Sequence, residues 1–231
     1  MAEGDRAEAR REPETAARIV DATIRLAEEV GWGDVRLHEV ADRLGLPLVE
    51  VSAHFQDLDA VADAWFARAR DAALAADGPE LAARPAADRL FLVMTRWFDA
   101  VGAHRGVARQ ILAEKLFYVS HPHHWVPMPF HLSRLMHWFL DAARIRGTGR
   151  MRQMEEIGLT AVFLATLAVW AGDDTPGQER TRRFLRTRLD RADRLMARIW
   201  GGGRGAPAAA PGDGAGGGAT ARRGGYRGSA R

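Results

Sequence analysis

The stretch RIVDATIRLAEEVGWGDVRLHEVADRLGLPLVEVSAHFQDLDAVADAWF, residues 18–66, decides the fold. Ile19, Ile24, Leu26 and Val30 recur at helical spacing, so residues 14–30 read as an amphipathic helix. Pro13 stands where a helix start tolerates proline, and Gly31 follows as the stop. A second short helix is expected over 35–44 with Asp34 as its N-cap, followed by a turn at Gly45. A third covers 48–55, and a fourth runs to about residue 76, burying Val61, Trp65 and Phe66. Three helices and a longer one, with glycine at the turn, make a helix-turn-helix unit.

Beyond this unit, Asp77-Gly78-Pro79 breaks the pattern and residues 77–85 read as a linker. Helical periodicity returns over 86–103, 106–117, 128–145, 152–171 and 176–200, and Tyr118–Pro129 is irregular, with three prolines. No stretch alternates with period two long enough to form a sheet. The expected class is all-α: an arm (1–13), a helix-turn-helix domain (14–76), a linker (77–85), a helical domain (86–200) and a tail (201–231). The tail is Gly, Ala, Pro and Arg without apolar anchors, a composition of disordered chain.

Composition narrows the function classes. With 47% apolar residues the chain is an ordinary globular protein, and with no cysteine it has neither disulfides nor thiolate metal sites. The charged N-terminus lacks a signal-peptide stretch, and the apolar run Ile157–Ala171 is fifteen residues long, short of the roughly 20 a spanning helix needs. The run therefore reads as a buried core helix, with no integral membrane segment expected and the cytoplasm as location. The pI of 10.1 is unevenly sourced. Residues 201–231 carry five Arg and one Asp, whereas residues 1–76 carry nine Arg against sixteen Asp and Glu, a net of −7.

Residues 18–66 resemble the DNA-binding domain of TetR-family repressors. The likeness rests on Arg18-Ile19, Gly31-Trp32, Val40-Ala41, Gly45-Leu46, His54-Phe55 and Ala60-Val61, and it needs no gap. It implies a third helix lying in the major groove. Leu48, Val49, Ser52, Ala53 and His54 would then meet DNA, with Arg18 and Arg36 near the phosphates. The chain departs from the family pattern where Pro47 replaces a Ser or Thr cap and Leu48 replaces Lys or another polar residue. It also lacks the Tyr-polar pair at Ser52-Ala53. Phosphate neutralisation supplies most non-specific affinity, and this reading helix has neither Lys nor Arg.

A second likeness lies in DDTPGQERTRRFLRTR, residues 173–188. Asp173, Pro176, Glu179, Thr181, Arg183, Phe184, Leu185 and Arg188 resemble the last segment of the TetR-fold lipid-binding proteins of ubiquinone biosynthesis, and His121-Pro122-His123 is similar to an element before that family's pocket. This resemblance implies an isoprenoid lipid as ligand and a partner enzyme. The family's further amphipathic helix is replaced here by the Gly-rich tail.

Either likeness gives the helical domain a ligand chamber. Met94, Trp97 and Phe98 lie on one aromatic stripe, Phe130, Met136, Trp138 and Phe139 on another, and Phe163 on a third. With Phe117 and Trp125 they are the expected pocket lining for a hydrophobic small molecule, although such stripes more commonly form plain core. The TetR likeness also implies a homodimer through the last two helices. Gly158, Ala161, Ala165 and Ala168 offer a small-residue face, and Phe184, Leu185 and Leu189 lie on the final helix, whose arginines read as a solvated face.

Six of the eight histidines fall between His104 and His137, but their spacing matches no standard metal site, and no metal or other cofactor is expected. Asp173-Asp174 reads as a helix-start cap. With no phosphate loop, nucleophile elbow or HExxH, the chain is not expected to be an enzyme. Two functions remain: a one-component regulator binding DNA and a hydrophobic ligand, or a lipid-binding accessory protein without DNA binding.

Overall fold

The computed structural model describes residues 2–75, 78–117, 127–145, 147 and 149–200, without the side chains of 2–11, 116–117, 127–131 and 200. The described residues form helices and no strand. In chain order they are α1 (Ala2–Val30), α2 (Leu37–Leu44), α3 (Leu48–His54), α4 (Leu58–Leu74), α5 (Pro79–Ala82), α6 (Ala86–Gly102), α7 (Arg105–Phe117), α8 (Pro127–Ala142), α9 (Arg150–Ala171) and α10 (Glu179–Trp200).

Helix α1 buries Ile19, Val20, Thr23, Ile24, Leu26 and Ala27, and the Thr23 hydroxyl donates to the Ile19 carbonyl at 2.8 Å, so its polar group costs nothing inside. The helix continues through Pro13 to Ala2, so the expected arm at 1–13 is helical. Residues 2–12 are mostly Ala, Glu and Arg, strong helix formers. Gly31 then turns the chain at φ 90, a left-handed value that side chains avoid. A 3-10 turn over Trp32–Asp34 follows, burying Trp32. Asp34 closes this turn instead of capping α2, whose start is Arg36 with no side-chain cap.

Gly45 ends α2 at φ 64, its N–H reaching the Ala41 and Asp42 carbonyls, while the Leu46 N–H bonds Ala41 as well. This left-handed cap sets the angle at which α3 leaves α2. Asp57 caps α4 by accepting from the Ala60 N–H at 2.7 Å.

Helix α4 joins the two halves, since it packs on α1 in the head and most extensively on α6 behind it. Trp65 and Phe66 continue one hydrophobic core from the head to Trp97, and the Phe66 and Trp97 rings stack at 6.2 Å. The expected linker contains α5, which anchors through buried Leu81. Behind α4, helices α6, α8, α9 and α10 pack as a bundle, with α7 laid against α1 and α6.

Among the described helices, α9 alone is long and apolar enough to cross a membrane. It was expected to be a buried core helix, but it buries a single stripe: Leu159, Phe163, Thr166, Leu167 and Trp170. Met154, Ile157 and Leu164 face outward.

Candidate DNA-reading head, aromatic core and helical face

Helix α3 is held by one anchor, Val51, which is fully buried, and by Phe55 just after it. Its outward surface is Leu48, Val49, Ser52 and Ala53, with Val49 73% exposed. Leu48 and Val49 thus present aliphatic surface to solvent, at 49% and 73% exposure. The Ser52 hydroxyl bonds back to the Val49 carbonyl at 2.8 Å, and His54 is half-buried at the helix end.

Three arginines of the head are engaged within it. Arg43 forms a two-pronged pair with Glu29 at 2.8 and 2.5 Å, and its hydrogen bonds hold the Glu29 carboxyl below its ordinary range. Arg68 pairs with Asp21 at 2.5 Å and also donates to the Ala17 carbonyl. Arg36 donates to the Gly33 and Val35 carbonyls, which fixes its guanidinium beside the start of α2. Arg18 is exposed on α1. Of the expected DNA-facing residues, Leu48, Val49, Ser52 and Ala53 are exposed on α3, His54 ends it half-buried, Arg18 is exposed on α1, and Arg36 stands at the start of α2.

The sequence reading missed how the head is tied to the helical domain. The Trp32 main-chain N–H donates to the Gln110 side chain at 2.6 Å, and His104 meets Glu28 at 2.7 Å. Lys115, the single lysine of the chain, lies 3.4 Å from Asp59 and 3.2 Å from Asp63 on α4. All three tethers start on or next to α7. No motif marks them, because each joins residues more than fifty positions apart. A cavity of about 480 Å³ lies beside them, lined by Glu28, His104, Arg105 and Gln110 among others, and none of the expected pocket residues lines it.

Six expected pocket residues meet in the helical domain: Met94, Trp97, Phe98, Met136, Phe139 and Phe163 are all buried. Trp97 packs edge-on to Phe163 at 5.1 Å and to Phe98 at 5.3 Å, while Phe139 meets Phe163 at 6.1 Å. Edge-on rings at these distances are mutually attractive, and here they fill the space between α6, α8 and α9. The indole N–H groups of Trp97 and Trp170 are buried without an acceptor among the described residues. Trp138 is 44% exposed on the outer side of α8, within 6.0 Å of the Arg70 guanidinium, and so stands apart from this cluster. Trp125 lies outside the described residues, as do the side chains of Phe117 and Phe130.

Of the expected dimer residues, Gly158, Ala161, Ala165 and Ala168 form an exposed stripe on α9, bordered by Ile157 and Leu164. Phe184 is half-buried under the Arg188 guanidinium at 4.8 Å. Leu185 and Leu189 are buried in the protomer's own core, because their positions on α10 face α6 and α9. Leu195 and Ile199, not among the expected residues, are exposed toward the end of α10.

Asp173 does more than cap. One carboxylate oxygen accepts from the Thr175 N–H and hydroxyl at 3.0 and 2.6 Å, and the other accepts from the Thr181 N–H and hydroxyl at 2.8 and 2.6 Å. Burial opposes its ionisation, but these four bonds outweigh burial and hold the carboxyl far below the usual range. Arg105 donates to the Asp173 carbonyl, so the same knot ties α7 to the α9–α10 connection.

The COQ9 family model matches residues 156–196, which contain this knot and most of α9 and α10. None of the curated proteins matches the chain significantly. Among solved structures, the TetR transcriptional regulator from Nitrosomonas europaea ATCC 19718 matches with a TM-score of 0.70 and 32% identity, over 79% of this chain and 99% of its own. A likeness at that identity, running through head and helical domain alike, means that this chain belongs to the TetR family.

Proposed function

We propose that the protein is a non-enzymatic, one-component transcriptional regulator of the cytoplasm. It binds DNA through α2 and α3 and a hydrophobic small molecule in the domain formed by α6–α10. The observation that carries this reading is the match to a TetR transcriptional regulator over nearly all of that protein's length. The head supports this reading, since α3 is held by Val51 and its other face is turned outward. Two copies would pair through the α9 stripe and the apolar end of α10, as exposed apolar surface of this kind favours.

The ligand would part the rings of the aromatic cluster, which fill this space without it, and would meet the Trp97 N–H, an unused donor among apolar rings. A buried donor without acceptor costs about 1–3 kcal/mol, so a ligand oxygen there would bind with that deficit removed. Ligand binding would move α7, and the tethers to Trp32, Glu28 and α4 would carry that motion to the head. Such coupling requires the ligand to prefer one arrangement of the two heads. Recovery of genomic fragments on the purified protein, with and without organic extracts of the host, tests both halves of the reading.

A second reading has its own support. The COQ9 match and the −7 head with an apolar α3 favour a lipid-binding accessory protein of ubiquinone biosynthesis that no longer binds DNA. Mass spectrometry of an isoprenoid co-purifying with the chain, together with no DNA recovery, would decide for it.

A further inference from the structure

Net positive charge is confined to the C-terminal part of the sequence. Helix α10 carries eight Arg against Glu179, Asp190 and Asp193, and five more Arg follow in residues 201–231. Two of the eight are engaged: Arg182 pairs with Asp99 at 2.6 Å and Arg186 pairs with Asp88. Arg180, Arg183, Arg191, Arg194 and Arg198 are exposed and form no ion pair among the described residues. With Thr187 they recur every three or four positions, which places them along one edge of the helix. The eighteen steps from Arg180 to Arg198, at about 1.5 Å rise each, give a ridge about 27 Å long, most of the roughly 34 Å of a duplex turn. A groove of about 370 Å³ opens on it, lined by Arg180, Arg183, Phe184, Thr187, Arg188 and Arg191.

We infer that this ridge binds the phosphodiester backbone of nucleic acid without regard to sequence, at a site separate from α3. Guanidinium groups present paired N–H donors that match phosphate oxygens, and their release of counterions drives association. The Thr187 hydroxyl adds a donor in the groove, and the Phe184 ring with Arg188 above it is the kind of stacked pair on which unpaired bases rest. A helix that inserts into an anionic membrane surface carries an apolar stripe along its charged edge. Here the exposed Leu195 and Ile199 lie beside the ridge over its last turns, and between Arg180 and Arg194 the edge carries only the half-buried Phe184. The ridge supplies the phosphate neutralisation that the acidic head lacks, so the protein would stay near nucleic acid while α3 samples sequence.

The test uses the full chain and labelled single-stranded and duplex oligonucleotides of unrelated sequence, titrated across a salt series. In R183Q/R191Q/R194Q, affinity at low salt should fall about tenfold or more. The slope of log affinity against log salt should become shallower by about 2–3. A control, R109Q/R134Q/R150Q, removes the same charge from exposed arginines elsewhere and should keep the wild-type slope. Because no oligonucleotide carries an operator, a failure of α3 to recognise DNA would not alter this result. Equal losses in both triple variants, no loss in either, binding by wild type to phosphatidylglycerol vesicles alone, or a changed sedimentation of the ridge variant would each overturn the inference.

Discussion

The Gln110 carboxamide accepts a hydrogen bond from the Trp32 main-chain N–H at 2.6 Å, joining α7 to the turn that leads into the reading unit. Trp32 is itself buried, and Gly31, at φ 90, brings this backbone to within reach of the same side chain. Head and helical domain therefore meet at a specific polar contact as well as through apolar packing.

Replacing Gln110 by Ala leaves the Trp32 N–H without its acceptor. The expected cost is about 1–2 kcal/mol, read from urea unfolding. Hydrogen exchange at the Trp32 amide should quicken, while exchange in the α9 core is unchanged. Equal exchange rates at Trp32 in wild type and variant would show that the contact does not hold the junction.

Asp173→Asn removes an acceptor from Thr181 or Thr175 and leaves buried donors facing an amide. The expected loss is about 2–4 kcal/mol at neutral pH. The folded carboxyl sits far below its unfolded value of about 3.9, so its contribution is complete above that pH and disappears as pH falls toward the folded value. The stability gap between wild type and D173N should therefore be full at pH 7 and narrower at pH 3. A gap independent of pH would contradict the ionised knot.

Phe163 touches Trp97, Phe98 and Phe139 at the centre of the aromatic cluster. Phe163→Ala should cost about 3–5 kcal/mol and open an apolar cavity. Binding of a small apolar probe such as benzene, seen by calorimetry, would follow if the cavity stays open.

Much of this architecture was legible because it is local. Gly31 and Gly45 mark left-handed positions, the apolar stripe of α1 has helical period, and the aromatics of α6, α8 and α9 share faces. Helix α1 reaches further than expected because Pro13 lies inside it, where the Ala, Glu and Arg residues before it favour helix. The tethers of Gln110, His104 and Lys115 were not legible, since a hydrogen bond between distant segments leaves no periodic trace. The family likeness turns Leu185 and Leu189 toward a second copy, but their place on α10 puts them in the core of the helical domain.

Val49 stands 73% exposed on α3, where a cation would meet phosphate if the helix lies in a groove. Val49→Lys should raise affinity for unrelated duplex several-fold at low salt and steepen the salt slope by about 1. An unchanged slope would place α3 away from DNA.

Ala161→Glu puts a charge in the middle of the α9 stripe. Sedimentation should change from dimer to monomer at micromolar concentration, with the thermal transition of the protomer nearly unchanged. A variant that sediments as wild type would move the pairing surface elsewhere.

The most direct measurement is recovery of sheared genomic DNA on the purified protein across a salt series, with the bound fragments sequenced. Enrichment of a short palindromic site is expected, with recovery that falls steeply as salt rises and survives in R183Q/R191Q/R194Q. Recovery of fragments without a common site, or of none at the lowest salt, would contradict a regulator that reads DNA through α3.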